Sequence, residues 1–125
     1  MIFTIIGELT SLNEYIDTER RHYQLAASLK KKETKRVARE IMLAKLKPIT
    51  NFPIHITYTW YSKDSRKDID NISFSKKFIN DGLVLAGIIP NDGRKQICGF
   101  AEVFLIDKEN PRVEVNIYHV DEYRE

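Results

Sequence analysis

The chain has 125 residues, of which 42% are hydrophobic, and its 20 Lys and Arg against 18 Asp and Glu give a formal net charge of +2 at pH 7. This length predicts one domain, residues 1–125, that can bury a core but is too short to divide into two. The single cysteine excludes an internal disulfide and a cysteine-rich zinc cluster. A single unpaired cysteine fits a reducing, cytoplasmic compartment. The apolar run at residues 1–6 is too short for a signal peptide or a membrane-spanning segment, so no membrane partner is expected.

The first half of the chain predicts a strand, a loop and one long helix. Residues 2–8 have the pattern of a strand, and residues 10–14 are typical of a loop. From about residue 21 to residue 46 the chain is rich in Ala, Leu, Lys, Arg and Glu with apolar residues at helical spacing, and Pro48 ends that pattern.

The predicted long helix is strongly basic. From Arg20 to Lys47 the sequence contains ten basic and two acidic residues, which is a formal charge of +8. The rest of the chain therefore carries −6. Such asymmetry favours contact with a polyanion, whereas the alternative is a helix face that is only solvated. The candidates for polyanion contacts are Lys30, Lys31, Lys32 and Arg36.

The second half predicts a strand, a helix and two further strands. Alternation after Pro53 puts Tyr58 and Trp60 on the buried side of a strand, and residues 75–86 have a helical apolar stripe. Strands are predicted at residues 96–106, where we expect Cys98 to be buried, and at residues 112–119. The element order β-α-β-α-β-β predicts an α+β fold, a single domain in which a mixed β-sheet is packed with helices.

An Asp-x-Asp-Asn cluster at Asp68, Asp70 and Asn71 follows the strand that begins after Pro53. If this segment is extended, its two aspartates project from one face and can hold a cation together. Alternatively, the cluster is a solvated turn in which the neighbouring Arg66 and Lys67 neutralise the acids without any metal. Carboxylates that converge beside a lysine are suited to holding Mg²⁺ against a phosphodiester.

These motifs together resemble the core of the RusA family of Holliday junction resolvases, particularly its phage and prophage members from Gram-positive bacteria. The family pattern is basic-Asp-x-Asp-Asn, then Lys-x-x-x-Asp-x-Leu, then an acidic pair or Asn-Asp before a strand. Residues 67–71, 77–83 and 89–93 match these three parts, and residues 7–15 are similar to the family's N-terminal strand and loop. The matching motifs span residues 7–97.

The resemblance implies a RusA-like fold and a Mg²⁺-dependent endodeoxyribonuclease, with Mn²⁺ as a substitute cation and no small-molecule cofactor. The implied protein is a homodimer that resolves four-way DNA junctions by paired symmetric nicks in recombination and repair. The implied catalytic residues are Asp68, Asp70 and Asp92, which also bind the metal, and Lys77. The motif also implies Lys67 and Asn71 beside the DNA, where Lys76 is a further candidate contact, and the charge of the basic helix adds Lys30, Lys31, Lys32 and Arg36 as candidate DNA contacts.

Two departures from the family pattern leave alternatives open. The gap between Asp70 and Lys77 is longer than in the shorter members, which leaves Lys76 as a candidate for the catalytic lysine, and Asn91 replaces the first acid of the pair. The other function classes are a non-catalytic phage DNA-binding or recombination accessory protein and a nuclease that prefers flaps, forks or RNA.

Overall fold

The computed structural model describes residues 1–124 and consists of a four-stranded sheet, with the main helices packed on one of its faces. The elements along the chain are β1 Ile2–Ile6, α1 Leu12–Arg21, α2 Tyr23–Leu43, β2 Ile54–Ser62, α3 Ile69–Ser73, α4 Lys76–Leu85, β3 Ile97–Ile106, β4 Arg112–His119 and α5 Val120–Arg124.

The sheet is mixed, with the strand order β1-β4-β2-β3. β2 pairs in parallel with β3 and antiparallel with β4, and β4 pairs antiparallel with β1. The α+β fold and the mixed sheet predicted from the sequence are therefore confirmed. The two edge strands are β1 and β3, each with a single hydrogen-bonded neighbour among the strands described.

The predicted alternation in β2 is confirmed, because Tyr58 and Trp60 are almost fully buried while Thr57 and Thr59 on the opposite face are only partly covered. The buried face packs with apolar residues of α2 and α4 in one core cluster. Part of the opposite face is covered by α5, where the ring of Tyr123 stacks on that of His55 at a centroid distance of 3.5 Å. The segment that carries Asp68 and Asp70 follows the carboxyl end of β2 along the chain.

The long helix predicted at about residues 21–46 is confirmed as α2, and α1 is an additional helix that the sequence did not predict. The loop expected at residues 10–14 instead contains the start of α1, where Ser11 and Glu14 form a reciprocal capping box. This Ser-x-x-Glu signature satisfies two backbone N–H groups at a helix start and was present in the sequence. The chain then turns at His22, whose backbone is extended, so α2 begins at Tyr23.

Cys98 is exposed, and its predicted burial is wrong. The prediction rested on the apolar composition of residues 96–106, but these residues form an edge strand. The Cys98 thiol lies 3.3 Å from the backbone oxygen of Ile54, to which it donates. Among residues 1–124, no helix is both long and apolar enough to cross a membrane.

Close packing of α2 against α4 requires the glycine at position 82. A Cβ atom built on Gly82 would lie 2.5 Å from Cγ1 and 2.8 Å from Cβ of Val37, which is fully buried. Overpacking costs about 1–3 kcal/mol, and the better helix propensity of Ala offsets about 1 kcal/mol. Since 2.5 Å is a severe overlap, we expect Gly82→Ala to lower the free energy of unfolding by about 1–2 kcal/mol, measured by urea denaturation.

The matched control is Gly93→Ala, since a Cβ there would meet its nearest atom at 3.5 Å. That variant should stay within about 0.5 kcal/mol of wild type. Equal stability of the two variants would contradict the tight packing of α2 against α4.

Candidate functional site

Asp68 and Asp70 lie at the start of the short helix α3 and not on an extended segment. Asp68 is the N-cap residue with φ −68° and ψ 155°, and Asp70 is in the first turn of the helix. The two aspartates therefore do not project from one face of an extended strand, as the sequence would require for them to hold a cation in that way. Both side chains are exposed, and neither forms an ion pair within residues 1–124.

The basic neighbours of the cluster pair with other acids. Arg66 lies 3.6 Å from Asp64, and Nζ of Lys67 lies 3.1 Å from Glu14 and 3.3 Å from Glu8. Burial alone would lower the pKa of Lys67, but its contacts with Glu14 and Glu8 raise that pKa above its usual value. The alternative in which Arg66 and Lys67 neutralise the aspartates of the cluster therefore finds no support in these ion pairs.

Asn71 connects α3 to α1. Its side-chain oxygen Oδ1 accepts a 2.8 Å hydrogen bond from the backbone N–H of Asn13, which lies in the first turn of α1. Two segments separated by 58 residues are joined by this bond. The amide side chain of Asn71 thus fixes how α3 is oriented against α1.

Lys77 contacts two carboxylates. Its Nζ lies 3.1 Å from Oδ1 of Asp81, one turn later on α4, and 3.4 Å from Oδ2 of Asp92, in the loop before β3. The hydrogen bond to Asp81, together with the charges of Asp81 and Asp92, raises the pKa of Lys77. Lys77 is therefore protonated at neutral pH and is held beside Asp92.

Lys76 points to a different place, as the turn of about 100° between successive helical residues requires. Its Nζ lies 2.6 Å from Oε1 of Glu102 on β3 and 2.7 Å from Oγ of Ser73. Glu102 also accepts hydrogen bonds from Trp60 at 3.1 Å and from Ser73 at 2.9 Å. This network attaches α3 and the first turn of α4 to the sheet.

The sequence did not indicate Glu8, Glu14 or Glu102 as neighbours of the site. The capping signature of Glu14 indicated a helix start and gave no sign of a contact with Lys67. Glu102 was hidden in an apolar strand, and its contact with Lys76 spans 26 residues. Ion pairs of this sequence separation depend on tertiary packing.

No group of three His, Cys, Asp or Glu side chains able to hold a metal ion occurs among residues 1–124. The structure thus does not gather Asp68, Asp70 and Asp92 into one such group. The donor chemistry still fits Mg²⁺, because this ion usually keeps several waters and binds through one or two carboxylates plus substrate phosphates. Asp68 and Asp70 offer two exposed carboxylates of this kind.

The basic side chains of α2 differ in what they contact. Lys30, Lys31 and Lys32 are exposed, and in the described part of the chain none of them forms an ion pair. Arg36 instead donates hydrogen bonds to the backbone oxygen of Glu8 at 3.1 Å and to the buried carboxylate of Glu33 at 3.4 Å. The three lysines are free to contact phosphates, whereas Arg36 holds the loop after β1.

A comparison with models of known protein families found no match to this chain. A search of curated proteins found no match either.

Proposed function

We propose that the protein is a Mg²⁺-dependent, structure-selective endodeoxyribonuclease that resolves four-way DNA junctions by paired symmetric nicks, in recombination and repair within the cytoplasm. The observation that carries this proposal is the contact between Lys77 and Asp92, 3.4 Å apart, which joins two of the RusA-like motifs. The bond from Asn13 to Asn71 joins the other two.

In the proposed mechanism, Asp68 and Asp70 hold the metal, which supplies activation of water and neutralisation of charge at the phosphate. The Lys77 ammonium stabilises negative charge on the phosphate or on the leaving oxygen. Asp81, 3.1 Å away on the same helix, keeps that ammonium protonated and in position.

Asp92 is the third metal ligand that the family resemblance implies. Its present partner is Lys77, and a distance of 3.4 Å is long for a charged hydrogen bond. The side chain of Asp92 is about three-quarters buried, at 26% exposure, and that of Lys77 is 54% exposed. Lys77 would keep its shorter ion pair with Asp81 if it lost this long contact, so in our proposal Asp92 would be available to complete the ligand set of the cation.

The exposed lysines of α2 supply the contacts to the DNA arms in this proposal. Phosphate contacts fix the position of the protein, and selectivity for the junction comes from the shape of the branch more than from base edges. A homodimer with a two-fold axis matches the approximate two-fold symmetry of a junction, so each subunit acts on one of two opposed strands.

The deciding experiment uses a synthetic four-way junction beside flap, fork and duplex substrates, each with and without Mg²⁺. We expect paired nicks on opposed strands of the junction only in the presence of Mg²⁺ or Mn²⁺. Preferential cutting of flaps or forks would replace the resolvase proposal with a different nuclease specificity.

The second candidate is a junction-binding accessory protein without catalysis. The absence of a three-acid metal group among residues 1–124 favours this candidate. Tight junction binding without nicking in Mg²⁺ would establish it and overturn the nuclease proposal.

The role of the basic helix is tested by replacing Lys30, Lys31 and Lys32 with Gln. Binding to every junction sequence should weaken alike, and the log-log salt slope should fall by up to about 0.9 for each phosphate that the variant no longer neutralises. The fold should survive, since exposed charges contribute little to stability. Binding is measured by fluorescence anisotropy over a series of salt concentrations.

Lys108→Gln is the control, because this lysine is exposed in the turn between β3 and β4, outside the basic helix. Its salt slope should equal that of wild type. If the triple variant also kept the wild-type slope, the lysines of α2 would form only a solvated face.

A further inference from the structure

Glu102 is a charged residue on the core-facing side of β3. Its register partner in β2 is Tyr58, which is fully buried, and its neighbours on the same face of the strand are Phe100 and Phe104. The side chain of Glu102 is only 16% exposed. Taking a carboxylate out of water costs free energy, and replacing a buried ion pair by apolar side chains of similar volume is often neutral or stabilising. Stability of the core therefore does not by itself explain an acid at this position.

The carboxylate of Glu102 connects three elements of the fold. It accepts hydrogen bonds from Trp60 of β2 at 3.1 Å, from Ser73 of α3 at 2.9 Å and from Lys76 of α4 at 2.6 Å. The ammonium of Lys76 also lies 2.7 Å from the Ser73 hydroxyl. Because an ammonium can only donate, the hydroxyl accepts from Lys76 and directs its own proton to Glu102. The contact between α3 and the sheet is therefore directional.

α3 depends on such contacts because it is too short to be stable by itself. It has five residues, whereas isolated helices shorter than about 12–15 residues are marginal in water. Within residues 1–124, Asp68 makes no side-chain capping hydrogen bond that would fix its carboxylate. The orientation of Asp68 and Asp70 thus follows from how the backbone of α3 is held. The residues of α3 that contact other elements include Asn71, Ile72 and Ser73.

We propose that Glu102 is a positioning residue for the metal site, which holds α3 against the sheet through Ser73 and so presents Asp68 and Asp70 to the cation in a fixed orientation. Ligands that are ordered beforehand lose less conformational entropy on binding. Glu102 does not contact the metal in this proposal, because its carboxylate already accepts from Trp60, Ser73 and Lys76. The inference rests on the proposed function, since it concerns the ligands of the same metal.

Mn²⁺ binding to the DNA-free protein tests this role without a cleavage assay. Ser73→Ala removes the hydroxyl that contacts Glu102, and Ser73→Thr, which retains a hydroxyl, is the matched conservative variant. We expect Ser73→Ala to weaken Mn²⁺ binding about tenfold, as the loss of an outer-shell hydrogen bond commonly does. Ser73→Thr should bind with the wild-type affinity. The affinity is measured from the electron paramagnetic resonance signal of free Mn²⁺.

Tyr58→Phe is the control for stability. It removes a buried 2.6 Å hydrogen bond to Asn80 and leaves Ser73 and Glu102 unchanged. This variant should unfold at a lower urea concentration than wild type and bind Mn²⁺ with the wild-type affinity. Wild-type affinity in Ser73→Ala, or an equal loss of affinity in Tyr58→Phe, would overturn the positioning role.

The double variant Glu102→Met, Lys76→Met tests the carboxylate itself. It replaces the ion pair by apolar side chains of similar volume, so the fold should be retained. We expect its Mn²⁺ binding to be weakened as in Ser73→Ala, because Ser73 loses its acceptor. A folded double variant with the wild-type affinity for Mn²⁺ would contradict the role of Glu102.

Asp70→Asn distinguishes a failure of this inference from a failure of the proposed function. If the wild type binds no Mn²⁺, or if Asp70→Asn leaves its affinity unchanged, the metal site at α3 is wrong, and the nuclease proposal and the role of Glu102 are both overturned. If Asp70→Asn lowers the affinity and Ser73→Ala does not, the metal site stands and the positioning role alone is overturned.

Discussion

Asp70→Asn is expected to abolish cleavage of a four-way junction in Mg²⁺ while junction binding stays at or above the wild-type level. In our proposal Asp70 is a ligand of the metal that activates water, so replacing its carboxylate removes that activation. The same substitution removes a negative charge near phosphate and cannot weaken electrostatic attraction to DNA. Cleavage is measured under single-turnover conditions, and binding by anisotropy in Ca²⁺ or without metal.

Asp64→Asn is the matched control for this variant. Asp64 lies in the loop before α3, four residues before Asp68, and its carboxylate pairs with Arg66 at 3.6 Å. It should cleave at the wild-type rate because it lies outside the proposed ligand set. An Asp70→Asn protein that still cut at the wild-type rate would eliminate the metal site at the start of α3.

The sheet and α4 could be predicted because each has a strong periodic pattern. The alternation after Pro53 identified β2, and the apolar stripe of residues 75–86 identified α4, which the structure gives as Lys76–Leu85. The long helix predicted from about residue 21 is α2, whereas α1 was missed because residues 10–14 have the composition typical of a loop.

The candidate site was less predictable because short elements have no reliable period. α3 has five residues, fewer than two turns, so the sequence offered no basis for preferring a helix to an extended segment there. Its position depends instead on distant contacts, such as Ser73 with Glu102 and Asn71 with Asn13. The pairing of Lys77 with Asp81 is different, since residues four apart on a helix are neighbours and that contact follows from spacing alone.

The structure also separates the roles of the two adjacent lysines. Lys76 is 27% exposed and contacts Glu102, which is 16% exposed. Removing the Lys76 ammonium would leave a mostly buried carboxylate with Trp60 and Ser73 as its remaining donors, which lowers stability. Lys77 is 54% exposed and faces Asp92, so its removal changes the charge available at the candidate site.

Lys77→Ala is therefore expected to lower the cleavage rate by a factor on the order of 10² or more, with a modest loss of binding, because it removes one charge-stabilising donor. Lys76→Ala, the matched control, should change cleavage little while lowering the unfolding temperature. Single-turnover cleavage of a pre-bound junction separates the chemical step from affinity, and both variants are assayed well below their unfolding temperatures. If Lys76→Ala were the damaged enzyme, the family alignment across the longer gap would be displaced by one residue. Wild-type rates for both variants would remove lysine from the mechanism.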